Sequence, residues 1–80
     1  MRPSDRAKAA RAELEQAVLE YLSEKPDGAI NNEIARELGL ESDFLGRQKN
    51  YLSYSILGGM IARGLVTRED YGGRKAFKKA

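Results

Sequence analysis

The 80-residue sequence contains no cysteine and no histidine. Without cysteine, no disulfide or thiolate-bound metal can reinforce the fold, and the chain is compatible with a reducing compartment. Without histidine, the commonest general base and the commonest zinc ligand are both missing. No apolar run approaches the ~20 residues that a membrane span requires. The first sixteen residues, MRPSDRAKAARAELEQ, have no apolar signal core. Acidic residues are present, but Glu13, Glu20, Glu24, Glu33 and Glu37 fall at spacings that read as solvated helix faces. No paired acid and base, no nucleophile with a partner and no glycine-rich phosphate loop accompanies them. The expectation is a soluble cytoplasmic domain with no enzymatic activity, no cofactor and no membrane partner. A chain this short forms one domain and buries only roughly 60% of its unfolded surface, so its core is thin.

What the sequence does have is a polarised charge. The net charge is only +2. Residues 1–43 nevertheless carry six Lys/Arg against ten Asp/Glu, and residues 44–80 carry eight Lys/Arg against Glu69 and Asp70 alone. A basic half is the electrostatic footprint of a nucleic-acid binder, although solvated charge for solubility would look the same in composition.

Periodicity predicts a first helix from an N-cap at Ser4 to about Glu24, with Leu14, Val18, Tyr21 and Leu22 on its inner face. Its first part, rich in Ala, Arg, Lys and Glu, has high helix propensity and little to bury. That part could project, fray or pair with a second copy. Pro26-Asp27-Gly28 stops the helix, and Ala29-Ile30 reads as a stub of strand. Asn31 or Asn32 is expected to cap a second, two-turn helix with Ile34, Ala35 and Leu38 inside and Gly39 as its stop. After a connection at residues 40–46, a third helix is expected from Arg47 to Arg63, with Leu52, Ile56, Leu57, Met60 and Ile61 as its apolar stripe. Leu65-Val66-Thr67-Arg68 and Arg74-Lys75-Ala76-Phe77 alternate as strands about a Tyr71-Gly72-Gly73 turn, with Ala76 or Phe77 pointing inward.

The run Glu33-Ile34-Ala35-Arg36-Glu37-Leu38-Gly39-Leu40 resembles the E-I-A-x-x-L-G-L pattern that precedes the recognition helix in bacterial helix-turn-helix proteins. Leu57, Met60 and Arg63-Gly64-Leu65-Val66 resemble the L-x-x-L-x-x-x-G-L-V end of a recognition helix entering a wing. Together they cover residues 14–78 and resemble the winged helix-turn-helix DNA-binding superfamily of bacterial or archaeal type. Residues 42–52 also resemble segments of winged-helix modules in bacterial restriction-type proteins. The resemblance implies a mainly α fold with a small β-hairpin (α+β): three helices and a C-terminal wing in a single domain over residues 4–80. Residues 1–13 would be a helical extension and residues 14–78 the core. One departure stands out: the turn at residues 41–46 exceeds the three or four residues of compact members, which leaves the docking angle of the third helix open.

The function so implied is binding of double-stranded DNA, by a small transcription regulator or a DNA-binding module. A helix fits the major groove and presents its exposed face to base edges. At about 100° per residue, the face opposite Ile56 carries Arg47, Gln48, Tyr51, Tyr54, Ser55, Gly58 and Ala62. Arg47 suits guanine and Gln48 suits adenine, whereas Tyr51, Tyr54 and Ser55 suit phosphates. Lys49 and Asn50 lie on the flanks and suit the backbone. In the wing, Arg68, Arg74 and Lys75 are the expected contacts. Four to seven neutralised phosphates would give a log-affinity versus log-salt slope of roughly −4 to −6. Gly58-Gly59 costs about 1 kcal/mol per residue in a helix, which points to close packing on the first helix or to close approach of a phosphate backbone. Homodimerisation through the first helix would strengthen binding. The alternatives are a protein-interaction adaptor of the same fold and a single-stranded nucleic-acid or RNA binder that stacks bases on Tyr51 and Tyr54.

Overall fold

The computed structural model describes residues 2–44, 48–71 and 73–80. Among these the chain runs α1 (Pro3–Ser23), β1 (Ala29–Ile30), α2 (Asn31–Glu37), β2 (Asp43–Phe44), β3 (Gln48–Lys49), α3 (Tyr51–Ala62), β4 (Val66–Tyr71) and β5 (Arg74–Lys79). This is a small α+β arrangement, three helices against a three-stranded antiparallel sheet of order β1-β5-β4.

Helix α1 starts one residue before the expected cap. Pro3 occupies its first turn, and Arg2, extended at φ −68° and ψ 150°, caps it without a side-chain bond. Proline suits this position because its fixed φ is helical and its missing N–H would have had no partner there. Ser4 is therefore inside the helix and not its cap. From Arg2 to Glu13 the side chains are exposed. Burial begins beyond them, with Glu15, Val18 and Leu22 on one face.

Gly28 turns the chain into β1 at φ +85°. A Cβ there would also stand 2.9 Å from the Phe77 carbonyl oxygen, so glycine is needed for the space as well as the angle. Ala29 pairs with Phe77 and Ile30 with Ala76. Helix α2 then begins at Asn31, with Ile30 as its cap and no side-chain cap bond. Both asparagines expected to cap it are thus in its first turn, free to use their amides elsewhere.

The third helix departs most from expectation. It begins at Tyr51, not at Arg47. Gln48 and Lys49 are extended and pair with Phe44 and Asp43 in a two-stranded ladder. Asn50 follows in the left-handed region at φ 59° and ψ 38°, which no α-helix passes through. The alternation between strand pairing and a left-handed residue ends any helix before position 51. Within α3 the buried positions are Ser53, Ile56, Leu57 and Met60. Leu52, expected in the stripe, is 39% exposed, and Ser53 takes the inner place.

The C-terminal hairpin runs in register from Val66 opposite Lys79 to Tyr71 opposite Arg74. Tyr71 belongs to the strand, not to the turn. Ala76 and Phe77 are both buried, although neighbouring positions in a strand point to opposite faces. Phe77 joins Val18, Leu22, Ile34, Leu57 and Met60 in the core, and Ala76 faces Gly28. Truncating Phe77 to alanine would cost about 3–5 kcal/mol, close to the whole stability of a domain of this size.

Candidate functional site

The start of α3 is held by a polar latch that joins three segments. The Asn50 backbone N–H donates to the Ser42 carbonyl, and the Ser42 N–H donates to Asn50 Oδ1 at 3.2 Å. Asn50 Nδ2 donates to Asn32 Oδ1 at 2.8 Å. Asn31 Nδ2 donates to the Asn50 carbonyl at 3.1 Å. Ser53 Oγ lies 2.6 Å from Asn31 Oδ1 and 3.1 Å from the Asn50 carbonyl. The Leu52 N–H donates to Ser42 Oγ at 3.1 Å. Among the described residues no buried side-chain N or O atom is left without a partner. A satisfied network of this kind specifies one geometry, because any slip strands several polar groups at once.

Around the latch, α3 turns a continuous stripe outward. Tyr51, Tyr54, Ser55, Gly58 and Ala62 are all exposed, at the spacing of one helix face. Tyr54 stands edge-on to Phe77, with ring centroids 6.5 Å apart and planes at 88°. Two open clefts flank it. The first, about 440 Å³, lies between Tyr54 and the hairpin and is lined by Asn31, Phe77, Gly73, Arg74 and Lys75. The second, about 430 Å³, shares Asn31 and Tyr54 with the first and is also lined by Lys49, Tyr51 and Ser55. Cationic side chains therefore line both clefts beside the stripe, while residues 51–62 contain none.

The structure brings Lys49, Tyr51, Tyr54, Ser55, Arg74 and Lys75 into this one region. Lys49 reaches it from β3 and not from the helix. Gln48 is likewise a strand residue, so its expected role on the helix face is corrected. Arg47 lies outside the described residues. Arg68 sits opposite Phe77, midway along the hairpin rather than at its tip. Asp70 faces Lys75 across the hairpin and offsets part of the positive charge there.

The glycine pair divides its roles. Gly58 faces open space, whereas a Cβ at Gly59 would come within 2.6 Å of Arg11 Nη2. At Gly59 the added atom would meet only the flexible tip of Arg11 from α1, and Gly58 leaves a bare patch in the exposed stripe. Beside Gly59, Glu15 accepts hydrogen bonds from Arg63 and from Arg11 at 3.3 Å. Burial pushes the Glu15 carboxyl pKa up, but the bonds and charges of the two arginines outweigh it and hold the pKa below the usual value. On the other side of α1, Tyr21 donates to Glu33 Oε2 at 3.1 Å. Burial and this bond raise the phenol pKa to about 12.

Asn31, Asn32, Ser42, Asn50, Ser53 and Glu15 were not foreseen in these roles. Asn50 carried one signal, since asparagine is enriched among non-glycine residues at positive φ. Apart from the Arg11–Glu15 pair one helical turn apart, the others find partners far along the chain, which no local pattern encodes. Among the described residues no helix is long and apolar enough to cross a membrane. Neither a protein-family model, nor a curated protein, nor a solved structure matches this chain.

Proposed function

We propose that this chain is a winged helix-turn-helix module that binds double-stranded DNA, with α3 in the major groove and the β4–β5 hairpin as the wing. The element order and the pairing of β1 with β5 support this reading. The observation that carries it is the placement of cations in both clefts beside Tyr54, Lys49 in one and Arg74 and Lys75 in the other. A helix lying in a groove about 12 Å wide has a phosphate strand on each side, and cations so placed meet both. These three groups alone would give a log-affinity versus log-salt slope of about −3. A steeper slope, of roughly −4 to −6, requires about two to four further cations, such as Arg68 and Arg47, to join them.

A titration with a mixed-sequence duplex, followed by amide resonances at two salt concentrations, tests the proposal. Shifts confined to residues 31–32, 49–58 and 73–75 that fade at high salt support it. Unperturbed resonances at low salt would overturn it. The second reading, a protein-interaction module, draws on the same uncharged surface: Tyr51, Leu52, Tyr54 and Leu65 are each at least 37% exposed. Partner binding that ignores salt would favour that reading.

A further inference from the structure

We infer that α3 reads the pyrimidine 5-methyl group in the major groove, the group carried by thymine and by 5-methylcytosine. The inference rests on the duplex-binding reading above and adds what the helix discriminates. Bidentate recognition of guanine needs Arg or Lys, and that of adenine needs Asn or Gln. From Tyr51 to Ala62 the helix contains none of the four, and no Asp or Glu to accept from cytosine. Its outward stripe holds only two phenols, one hydroxyl, a glycine and a methyl. Hydroxyl groups both donate and accept, so they do not separate one base edge from another. The remaining discriminating contact is apolar, and the one apolar feature of the major-groove floor is the C5-methyl.

The shape of the stripe suits that contact. Gly58 has no Cβ and nothing of the protein near where one would stand. Ala62, one turn on, adds a single methyl. The middle of the helix can therefore approach base edges more closely than one bearing long side chains. Tyr51 and Tyr54 stand before this gap at one end, 44% and 47% exposed. The cations lie off the stripe, at Lys49 and at Arg74 and Lys75, so charge holds the backbone and the uncharged helix meets the bases.

Two pairs of duplexes test this. An alternating A·T duplex is compared with the same duplex carrying deoxyuridine for thymidine, which removes the methyl and leaves every hydrogen-bonding edge intact. An alternating G·C duplex is compared with its 5-methylcytosine form. Affinity roughly fourfold higher for each methyl covered is expected, the worth of one buried carbon. A methyl-dependent gain in either pair supports the inference and identifies which base supplies the group. Equal binding with and without the methyl in both pairs overturns it while leaving duplex binding intact. No binding to any of the four duplexes at low salt overturns the duplex reading and the inference together. In a Gly58→Leu variant, whose added Cβ meets no protein atom within 4 Å, the methyl-dependent gain, read as the affinity ratio within each duplex pair whatever the absolute affinity, should disappear. Retention of the full gain in that variant would contradict the close approach at Gly58.

Discussion

The Asn50 amide nitrogen donates to Asn32 Oδ1 at 2.8 Å, tying the residue before α3 to the first turn of α2. Because Asn50 also holds a left-handed backbone conformation, it has two separable tasks. Asn50→Ala removes the side-chain bonds and leaves a Cβ-bearing residue without a local polar group at positive φ. The expected loss is about 2–3 kcal/mol, a melting temperature lower by on the order of 10 °C. Asn50→Gly keeps the conformation and loses only the bonds, so its loss should be about half as large. Thermal melts of both variants check the division; equal losses would mean that the backbone angle contributes nothing.

The two neighbouring glycines of α3 should respond unequally to the same added methyl. Gly58→Ala gains helix propensity in open space and should stabilise the fold by about 1 kcal/mol. Gly59→Ala gains the same propensity but pushes Arg11 away from the Glu15 cluster, so the net gain should be near zero. Urea titration resolves a difference of this size, and equal gains would show that Arg11 moves without cost.

Acid sensitivity should reside in Glu15. Its folded pKa lies below the ordinary carboxylate value, so the ionised form is favoured by folding. The stability it contributes is complete above the unfolded pKa and is lost as pH falls through the lower, folded value. Glu15→Gln should cost about 1–3 kcal/mol at pH 7 and flatten the fall in melting temperature between pH 5 and pH 3. A variant with the wild-type pH profile would place the acid sensitivity elsewhere.

Charge removal should separate the hairpin tip from its middle. Arg74→Ala and Lys75→Ala should each reduce the salt slope of duplex binding by about 1 and weaken all sequences alike. Arg68→Ala, four residues below the tip and opposite Phe77, should change the slope less. Fluorescence anisotropy across a salt series measures all three, and an unchanged slope for Arg74→Ala would remove the hairpin from the interface.

The outline of the fold was legible because its signals are local. Gly28, Gly39 and Gly64 mark real chain turns at positive φ, and Val18, Leu22, Ile56, Leu57 and Met60 occupy the core that their spacing implied. The short ladder of β2 and β3 was not legible, since two-residue strands have no periodicity to detect. A run of helix-compatible residues, Arg47 to Asn50, therefore read as the start of α3. The exchange of Leu52 for Ser53 has a different cause: hydrophobicity places leucine inside, but a buried serine becomes favourable once Asn31 supplies a partner. Where the candidate site consists of exposed helix positions and hairpin cations, the sequence sufficed to name them. Where it depends on side chains meeting across the chain, only the structure could.

The pairing of Ala29 with Phe77 and Ile30 with Ala76 closes the longest loop in the sheet, whereas β4 and β5 are joined by a tight reversal. Loop closure at such separation carries a larger entropic penalty than a local hairpin. The expected kinetic sequence is therefore early formation of the hairpin and late capture of the segment leading into Asn31. Asn31 is also the residue common to both clefts beside Tyr54. The surface that would meet a partner is thus assembled at the last closure, and a partly folded chain would present the cations without the helix stripe aligned beside them.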